Sequence, residues 1–228
     1  MAGILAVVTT SGGAAGIHNR FTRNLAGTPL IAYSLKECDK AKHIQRCVLS
    51  TDSKEVARAA GLYSAQVVSR PAELSGENTP LEAIVKHALE ELKNSEGYEP
   101  ELVVVLPGTF PLRRAAAIDE AIEKMEQAGA DSVVSVCPAP YPPSEMVTLD
   151  GDRALPLLLD AGKGRRAYRV SGAVYVLKPA LLLEQGKLRG PDTRALVMSA
   201  GDSVEVTSRY SFMRAEAAAK DRKKDILR

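Results

Sequence analysis

The chain has 228 residues, of which 45% are hydrophobic and 25% are charged, and its formal net charge is +2. This composition is ordinary for a globular protein and gives no reason to expect nucleic acid or a membrane surface as a partner. No apolar stretch approaches the roughly 20 residues of a membrane span, and a signal peptide is not expected. The three cysteines, Cys38, Cys47 and Cys137, lack metal-ligand spacing and predict buried free thiols. We therefore expect one cytoplasmic domain over residues 1–228.

The first predicted strand is the apolar run at residues 4–8, which leads directly into TTSGGAAGIHNR at residues 9–20. A continuous apolar run bounded by glycines is typical of a buried parallel strand. Gly12, Gly13 and Gly16 allow positive φ and a close approach of the backbone to a ligand. Because successive N–H groups in such a turn form an anion-binding concavity, the loop is predicted to bind nucleotide phosphates. The alternative is a tight turn without a ligand.

Predicted strands and helices then alternate along the chain. The further strands are predicted at residues 46–50, 66–69, 102–106 and 132–137. The helices are predicted to open at Pro29 as first helical residue, and to cover residues 54–61, 79–92 and the region around 118–125. This alternation predicts a three-layer, Rossmann-like α/β domain with a mostly parallel sheet. Ligands bind such sheets at the carboxyl ends of the strands, where Asp52, Arg70 and the 107–113 loop should converge.

The pattern changes at Pro138, where four prolines within residues 138–143 break regular structure. A short strand at 146–149, a turn at 150–152 and a basic loop at 163–166 precede a strand at 170–177. We interpret residues 138–170 as a projecting insert that acts as a lid, a dimerisation arm or both. Its leucines at 155 and 157–159 have no evident place in the sheet, which favours a homodimer. A last strand at 204–206 and a charged helix from Ser208 complete the prediction.

Short motifs along nearly the whole chain, in order, resemble those of the CMP-sialic acid synthetases, or acylneuraminate cytidylyltransferases. The matching stretches include GGxxGI in the N-terminal loop, AGTPLIAYS at 26–34, RPAEL at 70–74, TFPLR at 109–113 and SGAVY at 171–175. The resemblance implies a nucleotide-diphospho-sugar-transferase-like fold with CTP, or another NTP, and an acidic sugar as substrates. It implies transfer of CMP to an acidic keto-sugar with release of pyrophosphate, and Mg²⁺ as the ion that neutralises the developing charge.

The same resemblance assigns roles to residues of this chain. Arg20 and Arg169 take the catalytic positions, and Arg169 would grip the sugar carboxylate in a bidentate way. Glu205 takes the metal-binding position. The other sugar-binding positions are Thr109, Arg113 and Ser171. The nucleotide-binding positions are Thr10, Ser11, Gly12, Gly13, Gly16, Arg20, Arg70, Asn78 and Thr79.

From the residues alone, a structural role stays open for several of these side chains. Arg70 could pair with a surface carboxylate, and Asp52 could cap the helix that follows it. The 77–79 segment could likewise cap the next helix. Arg113 could be a solvated charge at a helix start, and Glu205 could be an exposed residue of an edge strand.

The departures from the family pattern fall where the chemistry would take place. The arginine and lysine of the family's glycine loop are Ser11 and Ala15 here, and the second metal-binding aspartate is Thr207. On the sugar side, a glutamine and a serine are replaced by Pro107 and Phe110. Three hypotheses follow: a cytidylyltransferase, a nucleotidyltransferase with altered substrates, and a non-catalytic member that binds nucleotide or acts as a scaffold.

Overall fold

The computed structural model describes residues 3–10, 17–76, 78–156 and 166–226, and the side chains among them as far as residue 222. The strands are β1 (Ile4–Thr9), β2 (Asn24–Leu25), β3 (Thr28–Pro29), β4 (Arg46–Thr51), β5 (Gln66–Ser69), β6 (Leu102–Pro107), β7 (Ser132–Pro138), β8 (Val147–Asp150), β9 (Arg153–Pro156), β10 (Tyr168–Leu177) and β11 (Thr193–Val197). The helices are α1 (Leu30–Lys40), α2 (Lys54–Ala60), α3 (Leu81–Glu96), α4 (Ala115–Ala128), α5 (Pro179–Gln185) and α6 (Arg209–Ile226).

The central sheet of these described residues has seven strands in the order β11-β7-β10-β6-β1-β4-β5. Strand β1 runs parallel to both β4 and β6, β4 is parallel to β5, and β11 is parallel to β7. Strand β10 is antiparallel to both of its neighbours, β6 and β7. The prediction of a mostly parallel sheet is therefore confirmed, with one reversed strand inserted between β6 and β7.

Both faces of the sheet are covered, because the apolar side chains of the central strands alternate between two cores. In β1, Ala6 and Val8 pack on one face, while Leu5 and Val7 pack on the other. The first face is covered mainly by α1, α4 and α6, and the second by α3 and α5. The predicted apolar face of the third helix is confirmed, since its members from Ile84 to Leu92 are buried. Burial on both faces explains why the central strands are continuous apolar runs.

Four details of the sequence-based prediction are wrong. Residues 204–206 form no strand, because Val206 N–H bonds to the Thr109 carbonyl of a loop instead of a ladder partner. Strand β11 was missed, since four of its five side chains are partly or fully exposed and its apolar run is only three residues long. Pro29 precedes α1 as its N-cap residue and lies in β3. The α2 helix is capped by Ser53, whose Oγ accepts from Val56 N–H at 3.3 Å, and not by Asp52.

The insert contains a separate two-stranded sheet formed by β8 and β9, joined by a tight turn at Gly151 and Asp152 as predicted. Its apolar side chains are exposed, among them Val147, Leu149 and Leu155. The predictions for the leucines at 157–159 and for most of the basic loop lie outside the described residues.

The three cysteines are buried and free, as predicted. Contact with Cys38, and then burial, raise the pKa of the Cys47 thiol far above its usual range, which keeps it uncharged and unreactive. In the part of the chain that is described, no helix has the length and hydropathy required to cross a membrane.

Candidate active site

A pocket of about 370 Å³ opens at the carboxyl ends of β1 and β6, at the sheet edge where ligand binding was predicted. We call it the central pocket. It is lined by Thr9, Arg20, Thr79, Leu81, Ile84, Pro107, Thr109, Phe110, Ser171, Gly172, Tyr175, Glu205 and Thr207. The fold thus brings together five side chains that the sequence singled out from distant segments, namely Arg20, Thr79, Thr109, Ser171 and Glu205.

Arg20 is buried in the wall of the central pocket, although a long charged side chain is rarely buried without partners. Its Nη1 donates a hydrogen bond to the Val206 carbonyl at 3.2 Å. Its guanidinium also lies 4.9 Å from the centre of the Phe21 ring, within the range of a cation–π contact. Phe21 is itself buried, so its ring is a fixed neighbour of the Arg20 guanidinium.

Glu205 lies next to Val206 and remains partly exposed to solvent, and the charge of Arg20 acts on its carboxyl group. Thr109 Oγ1 donates to Glu205 Oε1 at 3.4 Å, and the Thr109 carbonyl accepts from Val206 N–H at 2.8 Å. These two hydrogen bonds join the 107–113 loop to the 204–206 segment. Burial by the surrounding protein raises the pKa of the Glu205 carboxyl, while Thr109, Arg20 and Arg169 act in the opposite direction. The carboxylate is therefore placed where a cation would be favourable.

A bulge in β10 forms another wall. The register of β10 against β7 shifts between Val170 and Tyr175. Ser171 Oγ donates to Ser135 Oγ at 2.8 Å, which anchors the bulged segment to the neighbouring strand. Gly172 adopts a φ of +71° inside the bulge, a conformation that favours glycine. The bulge turns the Tyr175 ring toward Gly172, and burial raises the pKa of the Tyr175 hydroxyl.

Arg70 does not line the central pocket but lies at the adjacent strand ends. Its Nη2 donates to Asp52 Oδ1 at 2.9 Å, and its Nη1 donates to the Ser50 carbonyl at 3.4 Å. The same carbonyl accepts from Thr10 N–H at 3.1 Å, so Arg70 stands next to the start of the glycine loop. The carboxylate pairing that the sequence left open for Arg70 is thus present. Asn78 is exposed and lies outside the lining of the pocket.

Two predicted sugar-binding arginines are placed differently from the rest. Arg113 is only 2% exposed, and its Nη1 donates to the carbonyls of Ala173 at 2.7 Å and Pro107 at 3.3 Å. The solvated-charge alternative for Arg113 is therefore wrong, and burial lowers the pKa of its guanidinium to about 10. Arg113 ties β6 to β10 behind the pocket. Arg169 is exposed, yet its charge acts on Glu205.

The predicted phosphate-binding residues Ser11, Gly12, Gly13 and Gly16 lie outside the described residues, so their role stays a prediction. Thr9 and Thr10 lead into that loop, and both are buried. The sequence did not indicate Gly172 or Tyr175 as pocket residues, whereas Thr207 lines the pocket as its place in the metal-binding motif implied. A glycine inside a strand pattern, as in SGAVY, indicates a bulge and is the signal that would have found the first two.

The mostly parallel sheet, and a pocket at its strand ends that gathers several polar side chains, are typical of an α/β nucleotide-binding fold. Residues 8–151 match the family model described as "Cytidylyltransferase". The chain therefore belongs to the cytidylyltransferase family.

Relatives in sequence extend along almost the whole chain. The chain is 25% identical to post-translational flagellin modification protein B of Campylobacter coli, covering 97% of each protein. It is 26% identical to CMP-N,N'-diacetyllegionaminic acid synthase of Campylobacter jejuni, covering 93% of each. It is 25% identical to N-acylneuraminate cytidylyltransferase of Escherichia coli over 92% of this chain, which spans 50% of that longer protein.

Solved structures share the fold at low sequence identity. A CMP:2-keto-3-deoxy-manno-octonic acid synthetase complexed with CTP matches with a TM-score of 0.73 at 12% identity, covering 97% of this chain and 100% of the other. A 4-diphosphocytidyl-2C-methyl-D-erythritol synthase from Anaerococcus prevotii matches with a TM-score of 0.71 at 13% identity, covering 96% of each. These matches agree with the mostly parallel sheet and its flanking helices.

Proposed function

We propose that this protein transfers CMP from CTP to an acidic keto-sugar of the sialic-acid type. In this reaction, a sugar hydroxyl oxygen bonds to the α-phosphorus of CTP. The bond from that phosphorus to the oxygen bridging toward the β-phosphate breaks, pyrophosphate leaves with the electron pair, and the hydroxyl proton passes to solvent. The observation that carries the proposal is the full-length similarity to proteins named for this activity, combined with a pocket that gathers the matching residues.

The described residues can perform the positioning that such a transfer requires. Charge moves onto the departing pyrophosphate, and fixed donors near the phosphates stabilise it more effectively than water does. Arg20 is held rigidly by Val206 and Phe21 and supplies a permanent cation at the pocket wall. Ser171 and Thr109 line the same pocket, and we propose that their hydroxyls contact the acceptor. We propose that Arg169 contacts the acceptor carboxylate from the exposed rim.

Mg²⁺ is part of the proposal, and Glu205 is the residue that would hold it. Within the described ranges there is no group of three or more His, Cys, Asp or Glu side chains that could hold a metal ion. Mg²⁺ commonly binds through one or two carboxylates together with substrate phosphates and water, so a single carboxylate fits an ion that arrives with CTP. When bound, the ion would neutralise charge on the phosphates. We expect weak Mg²⁺ binding without nucleotide, measurable by calorimetry in the presence and absence of CTP.

The rival hypotheses differ in what they require. A non-catalytic scaffold is not favoured, because relatives that match nearly the whole chain are named as synthases and cytidylyltransferases. Altered acceptor specificity is favoured by one observation: Phe110 is buried and lines the pocket where the family has a serine. We therefore expect an acceptor with an apolar group at that point to compete with sialic acid. CTP is a cytoplasmic metabolite, and we propose the cytoplasm as the place of action.

Pyrophosphate release tests the proposal with each of the four NTPs and a panel of acidic keto-sugars. CTP should support turnover, and Glu205→Gln should reduce it by about a hundredfold, the effect typical of losing one electrostatic group at a reaction centre. Glu73→Gln is the matched control, because Glu73 is exposed on a short 3-10 turn outside the pocket. A wild-type protein that releases no pyrophosphate with any pair would return the non-catalytic hypothesis to first place.

The missing family residues give a second test. Thr207 lines the central pocket close to Glu205, at the place of the second aspartate. Thr207→Asp, combined with Ser11→Arg and Ala15→Lys, should raise the rate of CMP transfer. If wild type already turns over at ordinary rates with Mg²⁺, the reasoning from these departures is wrong.

We further propose that the protein is a homodimer that associates through the insert at 138–170. Exposed apolar side chains concentrate there, including Leu149 at 70% and Val147 at 55%. Such a patch favours a partner surface. Light scattering should report a dimer at micromolar concentration, and Leu149→Lys should shift it to monomer. Leu62→Lys is the control, because Leu62 is 85% exposed after α2, far along the chain from the insert. A wild-type monomer would reject the proposal.

A further inference from the structure

The 107–113 loop borders two separate cavities. Its first half lines the central pocket, whereas its second half, from Pro111 to Arg113, lines a cavity of about 620 Å³ that we call the α4 cavity. The remaining walls come from the 28–40 segment with α1, from the first turn of α4 and from Ala219 and Arg222 of α6. The two linings have no residue in common, so a ligand of the α4 cavity need not compete with one in the central pocket.

The α4 cavity has an excess of positive charge. Its lining contains one acidic side chain, Glu37, and five basic ones, namely Lys36, Lys40, Arg113, Arg114 and Arg222. Lys40 Nζ lies 2.7 Å from Glu37 Oε1. Arg114 and Arg222 both pair with the same carboxylate oxygen of Asp202. Five cations and two carboxylates leave an excess of three positive charges around the cavity.

Two of these cations lack a carboxylate partner. Within the described residues, neither Lys36 nor Arg113 forms a salt bridge. Lys36 is exposed, but Arg113 is only 2% exposed, and its Nε and Nη2 atoms have no hydrogen-bond partner among those residues. Burying a charge without a counter-ion is costly. An anion held in the adjoining cavity would reduce that cost.

The beginning of α4 adds to the same potential. Its N-cap residue, Arg114, makes no side-chain capping bond, and the first turn contains no acidic residue. Glu37 Oε2 accepts a hydrogen bond from Ala115 N–H at 2.8 Å, so the one carboxylate at this helix end is already shared between Ala115 and Lys40. The N-terminus of a helix has a partial positive charge and favours anions. The helix end and the unpaired Lys36 therefore attract a negative group from outside.

The rest of the lining is apolar. It consists of Pro111, Leu112, Ala115, Ala116 and Ala219, together with the half-buried Tyr33, whose hydroxyl is engaged with the Leu25 carbonyl at 2.7 Å. Ligand pockets range over about 300–1,000 Å³, and this volume lies within that range. A small inorganic ion would leave the apolar wall in water, whereas a ring or short hydrocarbon chain would cover it. The lining therefore suits an anion that has an apolar body.

We propose that the α4 cavity binds an organic phosphate monoester, with the phosphate at Lys36 and the first turn of α4, and the organic body against Pro111 and Leu112. A phosphate dianion matches an excess of three positive charges better than a singly charged carboxylate does. This site lies outside the proposed function, because it shares no lining residue with the central pocket. Binding alone tests it, so its outcome is independent of whether the protein transfers CMP.

The first experiment is calorimetric titration at pH 8 with phenyl phosphate, which is a dianion at this pH. Wild type should bind it with a Kd of about 1 mM or tighter, a modest value for a ligand of this size. Inorganic phosphate lacks the ring and benzoate has one charge fewer, so each should bind at least about tenfold more weakly. Benzoate that binds as tightly as phenyl phosphate would overturn the choice of a phosphate, and a lack of saturable binding of phenyl phosphate would overturn the site.

Variants place the probe in the cavity. Lys36→Ala should weaken the binding of phenyl phosphate by about tenfold, the effect of losing one hydrogen bond to a charged group. Lys42→Ala is the matched control, because Lys42 is also exposed, follows α1 and lies outside the lining. Ala116→Trp should abolish binding by filling the cavity, and the exposed position of Ala116 lets the fold accept the larger side chain. Wild-type affinity in both Lys36→Ala and Ala116→Trp would overturn the assignment.

Hydrogen exchange followed by mass spectrometry locates the probe independently. Phenyl phosphate should slow exchange in peptides from α1 and α6, which form the outer walls of the α4 cavity. The protection should persist in Lys42→Ala and decrease in Lys36→Ala. Protection confined to peptides of the β10 bulge would place phenyl phosphate in the central pocket and would overturn the proposal.

Discussion

Gly172 lies in the bulge of β10 with a φ of +71°, and a Cβ placed on it would come within 2.7 Å of the Tyr175 Oη. Substitution by alanine therefore has two costs. An L-residue in the left-handed region costs about 1 kcal/mol. Displacing the Tyr175 ring from the glycine should add about 1 kcal/mol, because the ring is partly buried and packs against the α3 core. We expect Gly172→Ala to lower the free energy of unfolding by about 2 kcal/mol.

A matched variant separates the two costs. Gly129 has a φ of +59°, and a Cβ on it would meet nothing within 4 Å. Gly129→Ala therefore has the backbone cost alone, about 1 kcal/mol, with the same gain from a stiffer unfolded chain. Tyr175→Phe removes the closest atom, and the next ring carbon lies at 3.4 Å, an ordinary contact. In the Gly172→Ala/Tyr175→Phe protein, the cost of the alanine should fall to that of Gly129→Ala.

Urea unfolding followed by far-ultraviolet circular dichroism measures these differences, since the chain has no tryptophan for fluorescence. The coupling between positions 172 and 175 should be about 1 kcal/mol in the double-mutant cycle. Equal destabilisation by Gly172→Ala and Gly129→Ala would show that the Tyr175 ring moves away from the alanine without cost. A double variant whose loss of stability equals the sum of the two single losses would show the same. Either result would refute the argument.

Three other substitutions test the environment of the site by urea unfolding. Asp52→Ala should lower the free energy of unfolding by about 2 kcal/mol, because it leaves the buried Arg70 guanidinium without its carboxylate. Adding Arg70→Met should restore part of this stability. An unchanged urea midpoint in Asp52→Ala would contradict the expectation. Arg113→Ala should lower the free energy of unfolding by about 3 kcal/mol, because it leaves a cavity and removes the Arg113 donor from the Ala173 and Pro107 carbonyls, and a loss below 1 kcal/mol would contradict the buried placement. Glu205→Gln should be at least as stable as wild type at pH 7: burial raises the pKa of Glu205 in the folded protein, so wild-type stability is lost as the pH rises from the ordinary carboxyl pKa through the raised one, and the difference should vanish below the ordinary pKa. A Glu205→Gln protein less stable at pH 7 than at pH 4, relative to wild type, would contradict this sign.

The sequence by itself predicted most of the sheet. The runs at 4–8, 46–50, 66–69, 102–106 and 132–137 all lie in strands. The central strands are buried on both faces and are therefore largely apolar, whereas 66–69 forms the partly exposed edge strand β5. The third helix was equally readable, since its apolar residues recur at the helical period. Strand ends with polar or glycine residues then indicated which edge of the sheet would bind a ligand.

Strand β11 was beyond such reasoning. Its side chains are mostly exposed, and it is a strand because its backbone bonds to β7, which no local pattern records. The 204–206 segment shows the converse: alternating valines predict a strand, but none of the described strands pairs with it, and the Val206 N–H bonds to a loop carbonyl instead. Backbone pairing depends on neighbours that are distant in sequence, so an isolated segment does not determine it.

Some residues of the site could likewise be predicted from the sequence, and the placement of others could not. Arg20, Thr109, Ser171 and Glu205 could be named from motifs, because these residues occupy the site positions of the resembling family's motifs. Only the tertiary structure placed Arg113 behind the pocket wall, paired Arg70 with Asp52, and placed Tyr175 in the lining of the pocket. A sequence gives the type and order of side chains, whereas burial, partners and orientation depend on how strands and helices pack. The Tyr175 ring is directed by the bulge between Val170 and Tyr175, and that bulge depends on how β10 pairs with β7.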